Sequence, residues 1–295
     1  MRGARPQREV ERAIEGGGVL RRGERVLIAC SGGPDSVALT AAMHAVAKPI
    51  GISICAAFVN HGLRESAWQD ECVVLQVAAQ LEIPLEIVAL DRVARSEARL
   101  RAARYDALID VANRRGCDVI ATAHHAEDQS ETVILALLRG AGSTGLSGMR
   151  GRRPLAPGLS LARPMIGVAP EALRAYCHAH ALPYAVDPTN AQTNLRRNAV
   201  REALTALRPL FPGLDAAVAR AAEVVAEERD GSRRAQLRKA VREQLSTEED
   251  LRDIYFVHVE AAVRALEAGR SGTFQMKPGI ALRIERGSIE GITRE

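Results

Sequence analysis

Hydrophobic and polar positions alternate between two regimes along the first two-thirds of the chain. Short apolar runs at 25–30, 52–59, 85–90 and 118–123 carry the Val, Ile, Leu and Ala content of buried strands. Between them, at 36–47, 65–81 and 96–115, apolar residues recur at intervals of three and four, the period of an amphipathic helix. A further helix is expected over 9–14. Four strands separated by helices predict βαβ crossovers and an α/β fold built on a parallel sheet. After the glycine-rich stretch at 139–148 the regularity fades, and 170–181 and 194–207 read as helices. From 215 to about 245 a charged helix is expected, its alternating charges at 227–239 suiting a solvated face. The tail reads as a small α+β unit, with a helix at 257–268 and strands at 273–276 and 280–284. Three segments follow: a domain over 1–210, a helical linker over 211–250 and a small C-terminal domain over 251–295.

Ligands of parallel sheets bind where strands end at their carboxyl edges. Ionisable residues gather at those ends: Ser31-Gly32-Gly33-Pro34-Asp35-Ser36 after the first strand, Asn60-His61-Gly62-Leu63-Arg64 after the second, Asp91-Arg92 after the third, and His124-His125-Ala126-Glu127-Asp128-Gln129 after the fourth. The first of these is a strand, a glycine turn and a helix start. Adjacent glycines let successive N–H groups converge on an anion, the helix N-terminus adds partial positive charge, and Ser31 and Ser36 add hydroxyl donors. Asp35 beside phosphates would repel them unless a divalent cation, magnesium above others, lies between. The loop therefore predicts a nucleotide and a metal. It lacks the Gly-Lys-Ser/Thr of the usual ATPase loop, so γ-phosphate hydrolysis is not the first reading.

Asp128 and Glu131 stand three apart at a helix start and share a face. Such a pair can bind magnesium or grip the ammonium of an amine substrate, or it can serve only to complement the helix dipole. His124 and His125 have neither zinc spacing nor a third soft ligand, and fit phosphate contact or hydrogen-bonded support of the loop. Arg197 and Arg201, one helical turn apart, can clamp a backbone phosphate or fix the acidic turn that precedes them.

The 295 residues, 47% of them hydrophobic, are ordinary for a folded globular protein. No apolar run approaches the length that spans a bilayer, and the N-terminal residues lack the apolar core of a signal peptide, so a cytoplasmic protein without membrane partners is expected. The five cysteines are scattered and show no Cys-x-x-Cys, which suggests neither a disulfide framework nor a zinc or iron–sulfur site. Net charge is only +4, yet arginine far outnumbers lysine and clusters at Arg150, Arg152, Arg153 and Arg163 and at Arg196, Arg197 and Arg201. Guanidinium forks match phosphate oxygens, so a polyanion such as RNA joins the expected partners.

Taken together, Ser31–Ser36, Val59-Asn-His-Gly-Leu-Arg64, His124-His-Ala-Glu-Asp-Gln-Ser-Glu-Thr132, Arg139-Gly-Ala-Gly142, Asp187-Pro-Thr-Asn190 and Arg196-Arg-Asn-Ala-Val-Arg201 resemble the tRNA(Ile)-lysidine synthetases, in family order over roughly residues 20 to 205. The resemblance implies a PP-loop, adenine-nucleotide α-hydrolase-like ATP pyrophosphatase domain. It implies ATP as co-substrate, Mg2+, free L-lysine and a CAU-anticodon tRNA(Ile), and a reaction that adenylates C2 of cytidine 34 before lysine displaces AMP to form lysidine. Carried over by motif, Ser31, Gly32, Gly33, Pro34, Asp35 and Ser36 would bind ATP and Asp35 would hold the metal. Asp35, Arg104 and Asp128 would be catalytic, Asp128 and Glu131 would seat lysine, and His61, His124 and His125 would support phosphate or loop. Arg196, Arg197 and Arg201 would meet tRNA, as would the C-terminal domain, and a homodimer is the common family assembly. The chain departs from the pattern at Glu127, where the family often has Asp. Two rival readings are another PP-loop tRNA-modifying or amide-forming pyrophosphatase and a nucleotide-binding regulatory module without catalysis. The missing cysteine pairs argue against iron–sulfur thiolases, and the His-His-Ala-Glu-Asp set is superfluous in a regulatory module.

Overall fold

The structure, a computed structural model, describes residues 4–60, 67–90, 97–185, 195–231, 235–236, 256–277 and 280–294. His61, the Asp91-Arg92 pair and the Asp187-Pro-Thr-Asn190 turn lie outside the described residues. The chain divides into two compact units, one of residues 1–141 with 148–220 and one of 142–147 with 221–295.

The first unit is organised by a six-stranded sheet. Its strands are β1 (Arg25–Ala29), β2 (Ser53–Asn60), β3 (Leu85–Ala89), β4 (Val119–Ala121), β5 (Arg152–Ala156) and β6 (Leu159–Ala162), in the order β3-β2-β1-β4-β6-β5. All neighbours are parallel except β5, which pairs antiparallel with β6 at one edge. The helices are α1 (Ala4–Gly16), α2 (Pro34–Ile50), α3 (Ala67–Gln80), α4 (Glu97–Arg115), α5 (Ala126–Leu138), α7 (Pro170–Ala179) and α8 (Leu195–Leu207), with α6 (Ser143–Leu146) falling in the second unit.

Strand polarity decides the layers. Val26 and Ile28 of β1 and Phe58 of β2 face one side, where Val37, Leu39, Met43, Val74, Val77, Leu173 and Tyr176 bury them beneath α2, α3 and α7, and α1 adds Val10 and Ile14. Leu27 and Ala57 face the other side and meet Leu108, Val111 and Ala112 of α4. Burying both faces explains why these strands read as continuous apolar runs. The β5–β6 hairpin escaped the sequence reading because Arg152-Arg153-Pro154 has the composition of a charged turn, and an edge strand tolerates both the charge and the proline.

Strand β1 lies between β2 and β4, so chain connections leave it in opposite directions. That reversal opens a crevice at the carboxyl ends of β1 and β4. Helix α2 starts there with Gly33 as its N-cap and Pro34 in its first turn, the preferred place for a residue lacking an N–H.

α9 (Leu214–Asp230) runs from the first unit into the second, and the rest of the expected long charged helix falls mostly outside the described residues. In the second unit α10 (Phe256–Glu267) covers an antiparallel sheet of β7 (Gly272–Lys277), β8 (Ile280–Glu285) and β9 (Ser288–Arg294). Val259, Ala262, Val263 and Leu266 pack on Met276, Ile280, Leu282 and Ile284, one alternate face of the sheet. The third strand escaped the sequence reading because Gly291 interrupts its apolar alternation. Among the described residues no helix is long and apolar enough to cross a membrane.

Candidate active site

A cleft of about 590 Å³ occupies the crevice of the first unit. Its floor is the glycine loop, with Ser31, Gly33, Pro34, Asp35 and Ser36 on the lining. Ser36 holds the loop in shape: its Oγ accepts from the Ser31 N–H at 3.1 Å and donates to the Gly33 carbonyl at 2.9 Å. Gly32 has φ +84°, and a Cβ there would stand 2.9 Å from the Asp70 carbonyl oxygen, so α3 leaves room only for glycine. The Gly32 carbonyl accepts from the Ala185 N–H at 2.9 Å, tying the chain after α7 to the loop.

Helix α5 delivers the opposite wall. His125 is its N-cap and donates its backbone N–H to Asp128 Oδ2 at 3.2 Å. The His125 Nε2 lies 3.6 Å from both Asp35 Oδ2 and Asp128 Oδ2, so one imidazole joins the two acids that the sequence separates by more than ninety residues. Asp35 Oδ1 is closed off from solvent without a hydrogen-bond partner. Burial raises the Asp35 pKa above the ordinary carboxylate range, against the opposing pull of His125. A desolvated carboxylate oxygen with no donor suits a hard divalent cation. Among the described residues no group of three or more His, Cys, Asp or Glu is placed as a metal cage, so Asp35 fits magnesium as a partial ligand that phosphates and water would complete.

His124 turns its Nδ1 to Thr122 Oγ1 at 2.9 Å. Burial, reinforced by the charges of Arg163, Arg101 and Arg197 against Asp128, pushes its pKa down to about 4. It is therefore neutral near pH 7, able to meet a phosphate without adding charge. Positive charge comes instead from arginines, with Arg101 and Arg104 of α4 and Arg174 of α7 lining the cleft. The Arg101 guanidinium lies 5.7 Å from the ring centroid of Tyr105, another cleft residue. Arg163, expected as part of a surface cluster, is buried beside the cleft with its Nη1 donating to the Arg150 carbonyl at 2.7 Å and its Nε unpartnered.

The structure brings Asp128, Glu131, Arg197 and Arg201 into one network. Glu131, whose side chain is 2% exposed, accepts from Arg197 Nε and Arg201 Nε at 2.6 Å each, and from Arg201 Nη2 at 3.2 Å. Arg197 Nη2 reaches Asp128 Oδ1 at 3.2 Å. Both oxygens of Glu131 are thus engaged by α8, and the two arginines point inward to acids; Arg196 is exposed. Glu127 pairs with Arg208, which also binds Asp215 at 2.8 Å. Sequence reasoning missed Arg101, Tyr105, Arg174 and Asn198 as cleft residues. Nothing in the sequence around Arg174 marks it, since it enters the cleft through the packing of α7 on α2, whereas Arg101 shares a helix face with Arg104 and was within reach of a periodicity argument.

A glycine loop without a loop lysine, set at the switch point of a parallel sheet and faced by acids and arginines, is the arrangement of an α/β domain able to take a nucleotide and to meet phosphates with backbone and hydroxyl groups. Comparison with known proteins makes this specific: the chain belongs to the PP-loop domain family, which it matches over residues 4–207. The tRNA(Ile)-lysidine synthase of Salinispora tropica is 45% identical over 207 residues, covering 68% of this chain and 62% of that protein. The tRNA(Ile)-lysidine synthase of Symbiobacterium thermophilum is 39% identical over 203 residues, covering 66% of this chain and 42% of that protein. The matched region thus spans less than two-thirds of these curated relatives. Among solved structures, the U34-tRNA thiolase of Methanococcus maripaludis with its 4Fe-4S cluster superposes with a TM-score of 0.67 at 18% identity, over 76% of this chain and 80% of that one, a likeness of fold.

Proposed function

We propose that this protein is a cytoplasmic ligase that joins free L-lysine to C2 of cytidine 34 in the CAU anticodon of tRNA(Ile), consuming ATP and releasing pyrophosphate and AMP. The observation that carries the reading is the meeting, in one cleft, of the glycine loop, Asp35, His125 and Asp128 in a chain whose relatives of the PP-loop family are named tRNA(Ile)-lysidine synthases. The loop from Ser31 to Ser36 holds the ATP phosphates, and Arg104 contacts the nucleotide. The cytidine C2 oxygen attacks the α-phosphorus and pyrophosphate departs. Alignment of the reacting oxygen with the α-phosphate supplies much of the acceleration. Magnesium held by Asp35 would offset charge on the departing pyrophosphate.

The lysine ε-amine then attacks C2 and expels AMP. With an ordinary pKa of about 10.4 that amine arrives protonated, so it must lose a proton before attack. Asp128 is the acid we assign to orient the ammonium and take the proton, with the His125 imidazole beside it as an adjacent polar partner. Glu131, with both oxygens given to arginines, serves lysine by fixing α8 and the placement of Asp128. Arg196 is the residue of its cluster we assign to tRNA phosphate. Pyrophosphate release tests the reading: it should require the CAU-anticodon tRNA(Ile), and release with ATP and a small-molecule amine acceptor alone would favour an amide-forming pyrophosphatase instead.

A further inference from the structure

Outside the lining of the cleft, two thiols that the sequence separates widely are in contact. Cys55 of β2 and Cys117, in the turn between α4 and β4, place their Sγ atoms 3.6 Å apart across β1. Both are half-buried, neither deep in the core nor fully exposed, and among the remaining cysteines Cys72 is exposed while Cys30 and Cys177 are buried. The backbone around them is pinned. The Cys117 N–H donates to the Ala112 carbonyl at 2.8 Å, the Arg25 N–H donates to Asp118 Oδ2 at 2.8 Å, and Arg25 Nη1 reaches the Arg115 carbonyl at 3.3 Å.

We propose that Cys55 and Cys117 form a dithiol modification site that closes to an intramolecular disulfide on reaction with a low-molecular-weight disulfide. The thiolate of Cys55 attacks one sulfur of the oxidant and releases the first small thiolate, leaving a mixed disulfide on Cys55. The Cys117 sulfur, already in contact, attacks the Cys55 sulfur and expels the second small thiolate. Two protein thiols are oxidised, one small disulfide is reduced to two thiols, and the two protons lost from the cysteines go to the departing thiolates. Forming the bond shortens the sulfur–sulfur separation from 3.6 Å to the roughly 2 Å of a disulfide.

Charges and burial act on both thiols. The contact with Cys117 and the nearby Arg115 and Arg25 guanidinium groups lower the Cys55 pKa, with burial and Glu86 acting the other way, while Cys117 is pushed up by the same contact, by burial and by Asp118, against Arg25. The consequence is mechanical. The bond would lock the end of α4 to the sheet, and the other half of that helix carries Arg101, Arg104 and Tyr105 on the cleft wall.

The test treats the full chain with oxidised glutathione and maps every cysteine by peptide mass spectrometry. Cys72, exposed and alone, is the internal control and should keep a glutathione adduct. The Cys55 and Cys117 peptides should be recovered joined, two hydrogens lighter than their sum and free of glutathione, and Cys117→Ser should leave the adduct stranded on Cys55. Glutathione retained on either residue of the unaltered pair, or two free thiols there after Cys72 has fully reacted, would overturn the proposal, as would Cys117→Ser without an adduct on Cys55.

Discussion

Glu131→Gln is the most informative single change, because Glu131 links the two helices that frame the cleft. The carboxylate is 2% exposed and receives three close guanidinium hydrogen bonds, two of them at 2.6 Å. Breaking a fully buried ion pair by removing one partner costs about 3–5 kcal/mol. Arg197 and Arg201 are 26% and 42% exposed, so water recovers part of that loss, and the glutamine carbonyl still accepts one bond. The expected cost is about 2–3 kcal/mol. Urea unfolding of the full chain, compared with Arg201→Met and with the double variant, reads the value and the coupling together. A coupling above about 1 kcal/mol is expected because Glu131 and Arg201 meet through two hydrogen bonds, at 2.6 and 3.2 Å, that either single change removes or weakens. Hydrogen exchange should quicken in α8 in the single variant. A loss below about 0.5 kcal/mol with an unchanged denaturant slope would refute the claim that Glu131 anchors α8.

Further outcomes follow from the same geometry. The folded pKa of His124, about 4, lies below its unfolded value of about 6.5, so the unfolded chain takes up the proton first and stability falls as pH drops through that window; about 3 kcal/mol is at stake. His124→Gln should therefore flatten the pH dependence of urea stability between pH 6.5 and 4, and an unchanged slope would contradict the buried neutral imidazole. Gly32→Ala should cost about 2–3 kcal/mol, from a strained positive φ and the approach to Asp70, and should weaken ATP binding. Gly33→Ala, at φ −74° with no neighbour closer than 4.0 Å, should leave the melting temperature nearly unchanged; equal losses in both variants would count against the loop geometry. Burial raises the folded pKa of Asp35, so its charged form is unfavourable in the fold and Asp35→Asn should raise the melting temperature while abolishing pyrophosphate release. A destabilised Asp35→Asn that still releases pyrophosphate would remove both arguments.

What the sequence revealed and what it hid have physical reasons. Strands β1, β2 and β4 were legible because most of their residues are buried, which leaves apolar runs, the edge strand β3 was legible from its Ile and Val, and the glycine loop was legible because its positive φ and helix start demand particular residue types. The pairing of Asp35 with His125 and Asp128 could be placed at neighbouring strand ends but not at 3.6 Å, since that distance depends on how α5 is set against β4. The inward turn of Arg197 and Arg201 was hidden for a different reason. A basic pair at helical spacing looks the same whether it faces phosphate or a buried Glu131, and only the packing of α8 on α5 decides. The nearness of Cys55 and Cys117, on either side of β1, is likewise a property of strand order, invisible to their spacing in the chain.

The central claim is tested most directly by incubating the full chain with ATP, magnesium, radiolabelled lysine and a CAU-anticodon tRNA(Ile) transcript, with the CAU-anticodon methionine tRNA as control. The account predicts acid-precipitable label on tRNA(Ile), confined to the nucleoside at position 34, with one pyrophosphate released for each lysine attached and no label on the methionine tRNA. Folded protein that binds ATP yet attaches no lysine to tRNA(Ile) would contradict it.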